Sequence, residues 1–232
     1  MLVLGLIPAR GGSKGVPRKN AKLLFGKPLL EYTIDAALSA TRLDHVILST
    51  DDAELAEIGR SGGIDVPFMR PTELAKDETP MLPVVQHALT WMQSHGKDFD
   101  AVCLLQPTNP LRKSADIDAC IELLETSDAD AVVTVLPVPS EHHPNWVYFQ
   151  TDTGDLRLST GDLEPTTSRQ NLPPAFHREG SVYVTRTEVV LKQNSLYGKR
   201  LLGYPLSVED CVNIDEPSDW ELAERLISSQ TS

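Results

Sequence analysis

An α/β fold built on a doubly wound, mostly parallel sheet is the class this sequence predicts, from three observations. Short apolar runs alternate with segments of helical period. Helix-opening residues stand ahead of several of those segments. At 232 residues the chain can bury a sizeable two-faced core in one domain, 1–232, but has little room for two.

In chain order, the expected strands are Val3 to Ile7, Val46 to Ser49, Val66 to Met69, Val102 to Leu105, Val132 to Leu136, Val182 to Thr185 and Val212 to Ile214. The first expected helix, Leu29 to Leu38, puts Leu30, Ile34, Ala37 and Leu38 on one face. Ala53 to Gly59 follows an Asp51-Asp52 pair able to cap its first turn. Met81 to Met92 buries Leu82, Val85, Leu89 and Met92. Ser114 is read as the cap of a helix with Ile117, Cys120, Ile121 and Leu124 inward, and Pro217 opens a last helix bearing Trp220, Leu222, Ala223 and Leu226. Between Pro137 and Arg178 the pattern breaks into a stretch rich in Pro, Thr, Asp and His, with a Trp146 to Gln150 strand and a Thr153-Gly154 turn. A stretch of this length inside a compact domain carries function or contacts.

A net charge of −12 argues against nucleic acid or an anionic membrane as partner, and no apolar run is long enough to span a bilayer. The N-terminus lacks a basic leader and reads as the first strand of a cytoplasmic protein. Cys103, Cys120 and Cys211 are odd in number and far apart, which suits buried thiols rather than disulfides or a zinc site. The charge is unevenly spread. Residues 1–30 hold Arg10, Lys14, Arg18, Lys19, Lys22 and Lys27, and the first acidic residue is Glu31. Cations concentrated in an acidic protein suit a polyanionic small molecule, with a solvated basic face as the alternative.

Most of these cations fall in Ile7-Pro8-Ala9-Arg10-Gly11-Gly12-Ser13-Lys14-Gly15-Val16-Pro17-Arg18-Lys19-Asn20, which begins where the first strand ends. Ligands of open α/β sheets bind at that edge. Glycines let backbone N–H groups approach phosphate oxygens, and Arg10, Lys14 and Lys19 add mobile charge, so the loop can enclose a triphosphate. It is neither a Walker A sequence, since Gly15 follows Lys14, nor a G-x-G-x-x-G. A plain turn is the alternative, but a plain turn does not call for so many cations.

With Arg70-Pro71-Thr72-Glu73-Leu74-Ala75, Leu104-Leu105-Gln106-Pro107-Thr108-Asn109-Pro110-Leu111-Arg112 and Asn213-Ile214-Asp215, the loop resembles the acylneuraminate cytidylyltransferase family, the CMP-sialic acid synthetases. The resemblance spans nearly the whole chain, with the four motifs in family order. It implies a Rossmann-like nucleotidyltransferase fold and transfer of CMP from CTP to a nonulosonic acid with Mg²⁺. By the same likeness, Arg10, Gly11, Ser13, Lys14, Lys19, Asn20, Arg70, Gln106, Pro107 and Asn109 contact CTP. Gln106, Thr108, His142, Arg169 and Tyr183 contact the sugar, and Asp215 with Asn213 meets the metal. Arg10, Lys14, Lys19 and Asp215 are the expected catalytic set. Many relatives carry Asp-x-Asp where this chain has Asn213, a weaker oxygen donor, and some have a basic residue where it has Trp146. Helix capping is the competing role for Asp215.

The likeness further implies a homodimer, with the insertion 137–178 supplying dimer contacts and part of the sugar pocket. The alternatives are a CMP-Kdo synthetase or other sugar nucleotidyltransferase, and a catalytically silent nucleotide-sugar binding protein.

Overall fold

The structure, a computed structural model, describes residues 1–230, so the last two residues of the expected 1–232 domain lie outside the described residues. Among the described residues, ten strands and six helices follow in this order: β1 (Val3–Pro8), β2 (Leu23–Leu24), β3 (Lys27–Pro28), α1 (Leu29–Ser39), β4 (His45–Ser49), α2 (Ala53–Ser61), α3 (Met81–Ser94), β5 (Ala101–Leu105), α4 (Ser114–Glu125), β6 (Ala131–Pro137), β7 (Tyr148–Gln150), β8 (Leu156–Leu158), β9 (Phe176–Arg186), α5 (Thr187–Lys192), β10 (Leu201–Pro205) and α6 (Pro217–Gln230). Six strands form one sheet in the order β10-β6-β9-β5-β1-β4. Within it β1 pairs parallel with β4 and β5, and β6 parallel with β10, while β9 runs antiparallel between β5 and β6.

The central strands are apolar on both faces because helices cover both. Val3, Ile7, Cys103 and Leu105 face Leu30, Ile34, Leu55, Ile117 and Leu124 of α1, α2 and α4. Leu4, Leu6, Val102 and Leu104 face Val85, Leu89 and Met92 of α3 and Val190 of α5. A third cluster joins Val16 of the glycine loop, Leu24, Leu111, Val212 and Ile214 to Trp220 and Ala223 of α6. Burial raises the Cys103 thiol to about 12 and pushes Cys120 up as well, in keeping with inert core thiols.

Five of the expected strands form, and two do not. Residues 66–69 run beside β4 with isolated bridges at Asp65 and Met69, because Pro67 has no N–H for a ladder. Val212 and Ile214 are buried coil whose alternation serves the third cluster. The half-exposed edge strand β10 was not expected, nor was the reversed direction of β9. Asp52 caps α2 as expected, accepting from the N–H groups of Glu54 at 2.9 Å and Leu55 at 3.1 Å. Ser114 is instead the first helical residue of α4, and Leu38 and Leu222 turn outward.

The insertion lies between the end of β6 and the start of β9. It contains the β7–β8 hairpin with Gly154 at φ 88° in its turn. Trp146 precedes the hairpin and donates to the carbonyl of Thr166 at 2.6 Å.

Asp118 of α4 ties the end of α1 down, accepting from the N–H groups of Thr41 and Arg42, both at 2.9 Å, and from the Thr41 hydroxyl at 2.8 Å. Partial burial pushes its pKa up, but these hydrogen bonds outweigh it and hold the carboxyl below its ordinary range. The resulting stability is complete above the unfolded pKa and is lost as pH falls through the depressed native value. Denaturant unfolding at stepped pH should therefore show a shallower acid loss for Asp118→Asn than for the parent, the two curves standing apart at neutral pH and converging below about pH 5.

Candidate active site

The loop after β1, the turn after β4 and the turn after β5 open on the carboxyl edge of the sheet, where α/β folds place their ligands. The glycine loop is held from within. The Ser13 hydroxyl donates to the Val16 carbonyl at 2.6 Å and accepts from the Lys19 N–H at 3.0 Å. Arg18 takes a left-handed φ of 55° and its guanidinium pairs with Asp52 and Glu54, anchoring the loop to the start of α2. The Gly11 N–H donates to Asp51 at 3.1 Å, and a Cβ on Gly11 would stand 2.4 Å from an Asp52 oxygen.

The same loop closes on the distant segment before α6. A Cβ on Gly15 would lie 1.9 Å from the Asp215 carbonyl oxygen, so only glycine permits this approach. Lys19 donates to the Ile214 carbonyl and to the Asp215 carboxylate, the latter at 3.0 Å. Its side chain is 12% exposed, so Lys19 is a clamp as well as a cation, whereas the Asp215 side chain is 72% exposed. The cap for the turn that opens α6 comes from Asp219, which accepts from the N–H groups of Asp215 at 2.9 Å and Glu216 at 2.8 Å. The capping role weighed for Asp215 thus falls to Asp219.

Arg10 and Lys14 share one counter-ion, Asp77, with Lys14 Nζ at 2.6 Å. Their hydrogen bonds hold the Asp77 carboxyl below its ordinary range. Buried Asn20 donates to the Arg10 carbonyl at 3.1 Å, and its Oδ1 is buried without a hydrogen-bond partner. Arg70 is buried at the end of β4, where it donates Nε–H to the Ser49 hydroxyl at 3.0 Å and Nη2–H to the Ser49 carbonyl. Burial lowers its pKa to about 10, with Asp51 opposing and Arg10 adding to the fall. These two bonds use two of its five donors.

After β5, half-buried Gln106 accepts at its carbonyl from buried Arg112, which also donates to Thr33 at 2.8 Å. Pro107 is buried beside it. Thr108 meets the 213–215 segment: its hydroxyl donates to Asn213 Oδ1 at 3.1 Å, and the Ile214 N–H donates to its carbonyl at 2.9 Å. Asn109 accepts from the Leu111 N–H at 2.9 Å. Three of the four sequence motifs, the loop, 106–112 and 213–215, are thereby in direct contact.

The expected sugar residues are less tightly gathered. His142 and Arg169 lie on exposed turns of the insertion, with no hydrogen bond or ion pair to the loop among the described residues. The buried member of the histidine pair is His143, whose Nε2 meets the Pro173 carbonyl at 2.9 Å. Tyr183 is buried in β9 with its ring against Tyr197, and burial raises its hydroxyl to about 12.

Two residues of this region escaped the sequence reading. Asp77 carries no motif signal. Nor does Glu179, in a strand that also holds His177, Arg178, Ser181 and Arg186; only Gly180 after it hints at the bulge. Beside the loop is a narrow crevice lined by Arg10, Gly11, Arg18, Asn20, Ala21 and Leu55. A cavity of 580 Å³ that includes Met1, Arg186 and Thr187 lies at the amino-terminal edge instead. No helix among the described residues is long and apolar enough to cross a membrane.

The chain as a whole has relatives of known name. The chain is 33% identical over 228 residues to CMP-N,N'-diacetyllegionaminic acid synthase of Legionella pneumophila, covering 98% of this chain and 97% of that one. It is 34% identical over 221 residues to N-acylneuraminate cytidylyltransferase of Escherichia coli, covering 95% of this chain but only about half, 51%, of the relative. The solved structure of CMP:2-keto-3-deoxy-manno-octonic acid synthetase complexed with CTP superposes with a TM-score of 0.72 over 99% of this chain and 100% of that one. At 16% identity that likeness speaks for the fold alone. Residues 4–231 match the family profile described as cytidylyltransferase. With a glycine loop clamped to an exposed carboxylate at the ligand edge of its sheet, and a family match along nearly its full length, the chain belongs to the cytidylyltransferase family.

Proposed function

We propose that this protein transfers CMP from CTP to the anomeric hydroxyl of a sialic-acid-like nonulosonic acid, releasing pyrophosphate. The observation that carries the reading is the clamp of Gly15 and Lys19 on Ile214 and Asp215, which puts loop cations, loop N–H groups and a carboxylate at one place. The sugar oxygen bonds to the α-phosphorus of CTP while the bond from that phosphorus to the bridging β-phosphate oxygen breaks. Pyrophosphate departs with the bonding electrons, and the hydroxyl proton leaves to base or solvent. Negative charge grows on the transferring and departing groups, so fixed cations are the stabilisers this chemistry needs.

Arg10, Lys14 and Lys19, with the N–H groups of Gly11 and Ser13, are assigned to the triphosphate. Asp77 now neutralises Arg10 and Lys14, and three phosphates arriving there would displace it. The buried, unpartnered Asn20 Oδ1 and the spare donors of Arg70 suit the nucleoside, with Gln106, Pro107 and Asn109 alongside. Asp215 fits Mg²⁺, which takes one or two protein carboxylates and completes its shell with water and phosphate oxygens. When bound, the ion would withdraw charge from the phosphate oxygens. Asn213 Oδ1, already accepting from Thr108, is the secondary oxygen donor.

The acceptor sugar is assigned to Gln106, Thr108, Tyr183 and the insertion residues His142 and Arg169. An Arg suits its carboxylate. The chain is read as a single cytoplasmic catalytic domain, 1–232, acting as a homodimer through the 137–178 insertion. In support, Phe149 and Leu156 of the hairpin are 66% and 63% exposed, Leu163 is 100% exposed, and an isolated two-stranded hairpin is marginal in water. A CMP-Kdo synthetase reading has only the fold likeness behind it.

Incubating the protein with CTP, Mg²⁺ and a panel of legionaminic, N-acetylneuraminic and pseudaminic acids should yield pyrophosphate and a CMP-sugar from at least one; binding without turnover across the panel would point to the silent binding protein. Lys19→Met should lower kcat by roughly 100-fold and, because the clamp is lost, the melting temperature by a few degrees, with circular dichroism still native. Asp215→Asn should raise the Mg²⁺ concentration needed for half-maximal rate while leaving the melting temperature nearly unchanged, since its carboxylate is exposed; unaltered Mg²⁺ dependence would remove Asp215 from the metal site.

A further inference from the structure

Glu179 is the most heavily hydrogen-bonded acid in the site, and no motif accounts for it. It is 7% exposed, in the β9 bulge where Gly180 takes a φ of 87°. One carboxylate oxygen accepts from the Thr134 hydroxyl at 2.7 Å, the Ser181 N–H at 2.9 Å and the Ser181 hydroxyl at 2.6 Å. The other accepts from Asn109 Nδ2 at 3.2 Å and Asn213 Nδ2 at 3.3 Å, and the Glu179 carbonyl accepts from the same Asn213 nitrogen at 3.0 Å. The buried cation of Arg112 helps to balance the charge.

The chemistry gives these bonds a direction. An ionised carboxylate only accepts, so Asn213 must turn its NH₂ end to Glu179 and its oxygen to Thr108. The Thr108 hydroxyl has one proton, and that proton is spent on Asn213. A half-buried hydroxyl committed inward in this way presents only lone pairs outward.

We propose that Glu179 is a positioning residue that, through Asn213, makes Thr108 Oγ1 an obligate hydrogen-bond acceptor, so that this position of the site selects a hydroxyl or N–H of the acceptor sugar and disfavours a carboxylate or phosphate oxygen. A second consequence is that positions 179 and 213 together tolerate one carboxylate. The naming of the sugar rests on the proposed function, whereas the direction of the chain of bonds does not.

The test uses the full-length protein. In thermal unfolding without substrates, Asn213→Asp should lose several degrees, because it sets two carboxylates 3.3 Å apart; adding Glu179→Gln should recover most of that loss, since the Gln amide then donates to the carboxylate introduced at position 213, in reverse order. In steady-state kinetics, Thr108→Val should raise KM for the nonulosonic acid by about 10-fold or more and leave KM for CTP within about 2-fold, and Thr108→Ser should restore it. An Asn213→Asp protein as stable as the parent, a double variant no better than Asn213→Asp alone, or a Thr108→Val protein whose two KM values rise together or not at all would each overturn the proposal. If the parent turns over no nonulosonic acid, the proposed function fails while the unfolding comparison still decides the bond direction.

Discussion

The approach of the glycine loop to the strand-like segment before α6 is the contact on which the active edge depends. Lys19 and Asp215 are 196 positions apart in the chain, so nothing local holds them together. Their meeting requires the missing side chain of Gly15, the Lys19 ammonium on the Ile214 carbonyl, and the third apolar cluster beneath, where Val16 and Ile214 pack with Trp220. Apolar burial supplies the driving force, but it is non-directional and leaves the polar parts free to slide. The ammonium and the glycine fix the register, and they are also the parts that a phosphate would use.

A consequence is that binding and folding share groups here. Lys19 is mostly buried yet charged, Arg70 is buried with part of its fork spent on Ser49, and Asn20 is buried with one oxygen unbonded. Each costs stability unless it is paired, and each is only partly paired. Proteins keep such groups where function needs them, and these three lie at the same edge of the sheet.

Much of this was legible in the amino-acid order, for identifiable reasons. Phosphate recognition needs glycines and cations close together after a strand, so Arg10 to Asn20 declares itself, and the buried strands declare themselves by apolar runs. Direction is another matter: Val182 to Thr185 has the same composition as its parallel neighbours, and its reversal depends on where the insertion returns the chain. Pro67 could have warned against a strand at 66–69, while Val212 and Ile214 copied a strand's alternation in coil. Glu179 was invisible because its value lies in five donors brought together from four stretches of chain. The sugar pocket was the least legible, since His142 and Arg169 stand on exposed turns whose surroundings the local sequence does not specify.

The outer rim of the sheet carries its own guard. Strand β10 ends the sheet beside β6, and such a border offers unpaired backbone groups to any passing chain. Lys199 and Arg200 stand immediately before it, Arg200 paired to Asp128, and Pro205 closes it. At the other border, Pro67 in the segment flanking β4 withholds a donor. With both borders blunted, adhesion through runaway strand addition is discouraged.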